Sequence, residues 1–201
     1  MVIFLTGGSG FIGKKFINKA LEAGDFIYCV SRKNKKNKKN LVWLKGDISK
    51  SWNKYLKRSD VLIHMSAAGV YKKNISYKEA INANLLKPHK LLINAINSKC
   101  FNWVIIGSAS EYGRNTFLKK NLSISTKALP ETNYEKSKFY FTQLCLDLSK
   151  KYKIKCRVMR LFNVYGEGEN KKRLLSSLRL AAKSNKNFKM TSGKQIVDFI
   201  N

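Results

Sequence analysis

The chain has 201 residues, of which 44% are hydrophobic, so it can bury one sizeable core and is too apolar for a disordered chain. No apolar run approaches the roughly 18 residues that a membrane helix needs, and the apolar start from Met1 to Leu5 is too short for a signal peptide, so the sequence reads as cytoplasmic with no membrane partner. The formal net charge is +28, yet only seven of the 40 basic residues are arginine and the lysines are spread among many asparagines, a pattern of codon usage rather than of a specific nucleic-acid partner.

Val2 to Leu5 is apolar on both faces and predicts a buried parallel strand. The glycine-rich run from Thr6 to Gly13 follows and opens a helix over Phe11 to Ala23, with Ile12, Phe16, Ala20 and Ala23 on one stripe and Gly24 as its stop. Phe26 to Val30 predicts a second strand, and Lys33 to Lys39 a solvated loop. Leu41 to Leu44 is a third strand ending at Gly46-Asp47, and Val61 to Met65 a fourth ending in Ser66-Ala67-Ala68-Gly69. A helix is expected from Tyr77 to Asn97, kinked at Pro88. Trp103 to Ile106 is a fifth strand with Gly107-Ser108-Ala109-Ser110 at its carboxyl end, then a helix from Tyr134 to Lys151 and a sixth strand from Cys156 to Leu161. This alternation predicts an α/β fold: a doubly wound parallel sheet of Rossmann type with helices on both faces, in one domain over 1–201.

In such sheets ligands bind outside the carboxyl ends of the strands, where the small and polar residues of this chain fall. A strand that empties into a glycine turn and then a helix suits a pyrophosphate, because the backbone can approach closely and the helix N-terminus favours the charge. Tyr134 and Lys138 are four apart and share one helix face. A phenol is a poor base at neutral pH, and a nearby ammonium favours its phenolate, so the pair suits proton transfer with Ser108 holding the substrate oxygen. The cysteines Cys29, Cys100, Cys145 and Cys156 show no metal-ligand spacing and read as reduced, buried thiols. His64 and His89 read as structural, and no metal is expected.

Taken in order, Thr6 to Gly13, Gly46-Asp47, His64 to Ala67, Gly107 to Gly113, Tyr134 to Lys138 and Arg160 to Gly166 resemble the extended short-chain dehydrogenase/reductases, in the NAD(P)-dependent nucleotide-sugar epimerase/dehydratase branch. The resemblance covers essentially the whole chain. It implies that Gly7, Gly10 and Gly13 are the dinucleotide glycines, with Phe11 and Ile12 beside them, and that Asp47, next to Ile48, contacts the adenine. It places Ala67 and Asn84 near the nicotinamide half, although Asn84-Leu85-Leu86-Lys87-Pro88 stands where the family usually has an Asn followed by a Gly-Thr pair. Ser108, Tyr134 and Lys138 match the catalytic residues, and Asn163 an asparagine that contacts the sugar nucleotide.

The second strand ends in Ser31-Arg32-Lys33 with no acid. An acid there binds the NAD ribose, whereas Arg32 would pair with the extra phosphate, so NADP(H) is favoured and NAD(H) stays open. Dehydratases of the branch follow their catalytic Thr with Asp-Glu, whereas here Ala109-Ser110 follow Ser108. Asn84 to Leu92, with Gly193 to Ile200, is similar to the CDP-abequose synthase type of 4-ketoreductase, which implies 4-keto reduction of a nucleotide sugar for surface polysaccharides such as lipopolysaccharide. A 4-epimerase is the alternative, and a homodimer is possible. Members of the family continue past the stretch like Gln195 to Ile200, so the substrate-binding lobe, begun at about 162, is expected to be incomplete. A third alternative is therefore a non-catalytic cofactor-binding remnant.

Overall fold

The computed structural model describes residues 1–70, 74–118, 121–190, 192 and 197–201. Residues 193–196, part of the stretch compared with the 4-ketoreductases, lie outside the described residues. The chain divides into two compact units, Met1–Arg160 and Leu161–Asn201.

The first unit runs β1 (Val2–Thr6), α1 (Phe11–Glu22), β2 (Phe26–Ser31), β3 (Leu41–Lys45), α2 (Asn53–Leu56), β4 (Val61–His64), α3 (Tyr77–Ile81), α4 (Lys87–Asn97), β5 (Asn102–Ser108), α5 (Asn115–Leu118), α6 (Asn133–Tyr152) and β6 (Lys155–Leu161). The six strands form one sheet in the order β3-β2-β1-β4-β5-β6, and β1 pairs in parallel with both β2 and β4. The winding therefore reverses between β1 and β4, and that crevice is where such sheets bind ligands.

Alternation along β1 explains why the strand is apolar on both sides. Ile3 and Leu5 enter one buried cluster with Ile17 and Ala20 of α1, and Phe4 enters the other with Leu91 and Leu92 of α4 and Phe141 of α6. Along α1 the buried residues are Gly13, Ile17 and Ala20; of the expected stripe Ile12, Phe16, Ala20 and Ala23, Ala20 is buried, Ile12 and Phe16 are half-buried and Ala23 is exposed. Gly13 fixes that rotation, because it is the residue that packs on the glycine turn. Gly24, at φ +82, ends the helix as expected.

The helical run expected over Tyr77 to Asn97 is present, with a difference at its middle. A π turn, Asn82–Leu86, joins α3 to α4, and the Lys87 N–H donates to the Asn82 carbonyl five residues back. Pro88 follows, in the first turn of α4. Proline has no N–H to donate and its ring crowds the carbonyl four residues earlier, so the widened turn accommodates it without ending the helix.

In the second unit, β7 (Asn163–Val164) pairs in parallel with β8 (Phe199–Ile200), and α7 (Leu174–Lys183) lies between them in sequence. None of these three elements was marked by the sequence pattern. Among the described residues, no helix is long and apolar enough to cross a membrane.

Candidate functional site

The turn after β1 is built by glycines that tolerate no side chain. Gly7 has φ +78, and a Cβ there would stand 2.7 Å from the Met65 carbonyl carbon and the Ser66 nitrogen, at the end of β4. A Cβ on Gly8 would meet Cys29 Sγ at 2.5 Å, and one on Gly13 would run into the Gly7 carbonyl oxygen and Gly8 Cα. Gly10 is the N-cap of α1 and donates to the Gly7 carbonyl at 2.9 Å, and no side chain caps the first turn, which holds the half-buried Phe11 and Ile12. A turn with no room for a Cβ at Gly7 or Gly13, ending in an uncapped 12-residue helix, fits the pyrophosphate of a dinucleotide.

Beyond β3, Asp47 accepts from the Ser49 N–H at 3.0 Å and the Ser49 hydroxyl at 2.8 Å with Oδ1, and pairs through Oδ2 with Lys87 Nζ at 2.6 Å. Burial pushes its carboxyl up, but the hydrogen bonds from Lys87 and Ser49 outweigh that and hold it at about 2. Ile48 is half-buried and packs on the core. Arg32, just past β2, is exposed, and no hydrogen bond or ion pair joins it to another described residue.

Asn84 lies in the π turn and is buried. Its Oδ1 accepts from the Ala68 N–H at 2.7 Å, and its Nδ2 donates to the Ala68 carbonyl at 2.9 Å and to Ser137 Oγ at 3.0 Å. Ser137 in turn donates to the Tyr134 carbonyl at 2.8 Å. One amide thus joins the loop after β4, where Ala67 is exposed, to the first turn of α6. In that loop Gly69, at φ +89, lies against the Tyr134 ring, whose Cδ2 would be 3.1 Å from a Cβ at 69.

Helix α6 begins with a capping box: the Thr132 side chain accepts from the Glu135 N–H, and Glu135 accepts from the Thr132 N–H. The box sets the phase that directs Lys138 inward, where its buried Nζ donates to the Ile106 carbonyl of β5 at 2.7 Å. Burial pushes the Lys138 ammonium below its ordinary value, and the charge of Glu111 opposes that shift. Ser108 ends β5, two residues beyond Ile106, and its Oγ lies 2.7 Å from Ser110 Oγ. Buried Glu111 accepts from the Ser108 N–H at 2.8 Å and pairs with Arg160 Nε at 2.9 Å. Arg160 also donates to the Tyr112 hydroxyl at 3.2 Å and stacks over its ring.

Within the first unit, then, the structure gathers Ser108, Tyr134, Lys138 and Asn84 onto elements joined by direct side-chain bonds. Asn163 lies in the second unit, where its Nδ2 donates to the Asp198 carbonyl at 3.2 Å. Sequence reasoning missed the Lys87–Asp47 pair, the Glu111–Arg160 pair and the Ser137 bridge. Only the first half of the second was legible, since Ser108 and Glu111 have capping-box spacing. Cys29, Cys100 and Cys145 are buried thiols as expected, whereas Cys156 is half-buried. Burial pushes the Cys29 thiol up to about 12, so it stays protonated.

A family model described as the NAD dependent epimerase/dehydratase family matches residues 3–201. A search of curated proteins finds no match. Among solved structures, UDP-N-acetylglucosamine 4-epimerase from Methanobrevibacter ruminantium superposes with a TM-score of 0.88 at 22% identity, covering 98% of this chain and 68% of that one. UDP-glucuronic acid 4-epimerase from Bacillus cereus, in complex with UDP-glucuronic acid and NAD, gives 0.86 at 20% identity, covering 99% and 68%. A dTDP-glucose 4,6-dehydratase from Streptomyces venezuelae gives 0.82 at 19% identity, covering 100% and 68%. These likenesses bear on the fold.

Two outcomes follow from the geometry. Replacing a helical glycine by alanine ordinarily gains about 1 kcal/mol, but Gly13→Ala meets backbone that cannot move without opening the turn. It should cost about 1–3 kcal/mol in a thermal melt and weaken dinucleotide binding by about tenfold or more. His64, whose Nδ1 bonds Thr6 Oγ1 at 2.8 Å, is held down to about 3 by burial and then by the Lys138 charge, against 6.5 in the unfolded chain. The unfolded chain alone therefore takes up this proton as pH falls from 6.5 towards 3, and stability is lost over that window. His64→Asn keeps a partner for Thr6 and should flatten that loss in urea melts between about pH 7 and about pH 4.5, a range above the Asp47 titration.

Proposed function

The chain belongs to the NAD dependent epimerase/dehydratase family, and from that premise we propose that Ser108, Tyr134 and Lys138 serve an NAD(P)-dependent oxidation or reduction at a sugar carbon of a nucleotide sugar. One observation carries this reading. The end of β5, the first turns of α6 and the loop after β4 are joined through Lys138 and Asn84, and those elements bear all three residues or border them.

In this reading Gly7, Gly10, Gly13, Phe11 and Ile12 hold the pyrophosphate, Asp47 and Ile48 meet the adenine, and Ala67 and Asn84 border the nicotinamide half. The dinucleotide, when bound, supplies the acceptor or donor of hydride. Tyr134 gives the proton to the sugar oxygen or takes it, according to direction. Ser108 donates a hydrogen bond to that same oxygen, its hydroxyl oriented by Ser110. Lys138, anchored on the Ile106 carbonyl, brings positive charge to the first turns of α6. Asn163, in the second unit, is the residue that the family resemblance matches to a sugar-nucleotide contact.

Reduction of a 4-ketone with NADPH is supported by Arg32 and by the absence of an acid at the end of β2. Epimerisation at that carbon with NAD is supported by the solved 4-epimerase that is bound to NAD. Ala109 and Ser110 lack the acid pair of a dehydratase, which argues against dehydration.

Tyr134→Phe should lower turnover at least about 100-fold while dinucleotide affinity changes less than about twofold, measured by steady-state kinetics and by quenching of tryptophan fluorescence. Loss of nicotinamide absorbance matching the product formed identifies a reductase, and interconversion with no net loss an epimerase. Tighter binding of NADPH than NADH, reversed in Arg32→Asp, would support the 2′-phosphate role; equal affinities in both proteins would remove it.

A further inference from the structure

The pairing of β4 with β5 ends at His64 and Ile105, so the Ile106 carbonyl and the Ser108 N–H lie past that ladder. Two side chains of opposite charge take them up. Lys138 Nζ donates to the carbonyl at 2.7 Å, and Glu111 Oε1 accepts from the N–H at 2.8 Å. Between the two stands Gly107, where a Cβ would come 2.7 Å from Glu111 Oε1, so a glycine makes room for the carboxylate that folds back over it. Glu111 comes from the 3₁₀ turn Ala109–Tyr112 and its side chain is fully buried, yet its ion-pair partner is Arg160 Nε at 2.9 Å rather than Lys138. The ammonium therefore has a fixed negative charge nearby that takes none of its three donors, one of which goes to the Ile106 carbonyl.

A buried cation with no counter-charge tends to give up its proton. The groups around Lys138 offer little choice of counter-charge. His64, at the end of β4, stays neutral, and burial pushes the Cys145 thiol of α6 up, so it stays protonated. Tyr134 shares the helix face of Lys138, and the π turn meets this part of α6 through the uncharged amide of Asn84. Among these described residues Glu111 is the one carboxylate. We propose that Glu111, held in place by Arg160, is a positioning residue of the candidate site: it fixes the strand end that carries Ser108 and supplies the negative charge that keeps Lys138 an ammonium. It acts through those two residues. Burial pushes the Lys138 ammonium down and the charge of Glu111 raises it again, which is the sign this role requires. The inference rests on the reading above, in which Ser108, Tyr134 and Lys138 serve the reaction.

The test is an NMR pH titration of the whole chain carrying carbon-13-labelled lysine, read at Cε of Lys138, whose signal is the one missing from Lys138→Met. Glu111→Gln and Arg160→Met break the same ion pair but remove opposite charges. In Glu111→Gln the Lys138 midpoint should fall by about one pH unit or more, whereas in Arg160→Met it should stay or rise. A merely structural loss would move it the same way in both. If Glu111→Gln does not fold by circular dichroism, the double variant with Arg160→Met leaves no unpaired charge and should give a smaller fall. A midpoint unmoved by the loss of Glu111, or a fall in both single variants, overturns the proposal. The titration uses no substrate, so its failure is separate from that of the catalytic reading. A chain whose Lys138 answers to Glu111, but whose Tyr134→Phe variant turns over normally, loses that reading and the positioning role with it.

Discussion

The amide of Asn84 is the constraint on which the candidate site depends. Buried polar atoms must find partners, and this side chain spends its hydrogen bonds on the Ala68 N–H, the Ala68 carbonyl and Ser137 Oγ. No single one of these bonds is strong, but leaving any of the partners unmade in a dry interior costs more than the bond contributes. The loop after β4 therefore cannot drift from α6. Because Gly69 in that loop lies against the Tyr134 ring, the position of the candidate proton carrier follows from the same amide. The π turn around Asn84 is part of the arrangement, since it widens the helix where Pro88 would otherwise collide with it.

A chain with 40 basic and 12 acidic residues has few carboxylates to place, and four of them, Glu111, Glu135, Asp60 and Asp47, occupy decisive positions. Glu111 is fully buried, accepts from the backbone of Ser108 and is paired with Arg160. Glu135 completes the box that starts α6. Asp60 receives the Val2 N–H at 2.7 Å at the start of β1. Asp47 closes its own turn and binds Lys87. The partly exposed pairs among these contribute modestly to stability. Their consequence is geometric: each fixes a backbone segment at a carboxyl or amino end of the sheet.

The charge around Lys138 follows the same logic. Its ammonium is buried and donates to the Ile106 carbonyl, and Glu111 partly offsets the cost of burying it. His64, across the Phe141 ring, stays neutral in that field and serves Thr6 as a hydrogen-bond partner. Lys138 is thus the cation of this buried neighbourhood, set beside the strand end that carries Ser108.

The sequence by itself determined what is local. An apolar run, glycines at positions 7, 10 and 13 and a helix stop at Gly24 specify the first β–turn–α unit, because φ above zero and close backbone approach are demands on single residues. Apolar runs likewise marked the six strands, and four-residue spacing put Tyr134 and Lys138 on one helix face. What only the tertiary structure decided are partnerships between residues far apart in sequence. Lys87 meets Asp47 across 40 residues and Arg160 meets Glu111 across 49, and neither has a local pattern to betray it. The strand order that brings Gly7 against Met65 and Ser66 is of the same kind. Even the rotation of α1 followed from packing, because Gly13 had to face the turn and carried Ile17 and Ala20 inward with it. Local conformation is written in each residue's own torsions and volume, whereas a partner across the sheet exists only once the sheet has been wound.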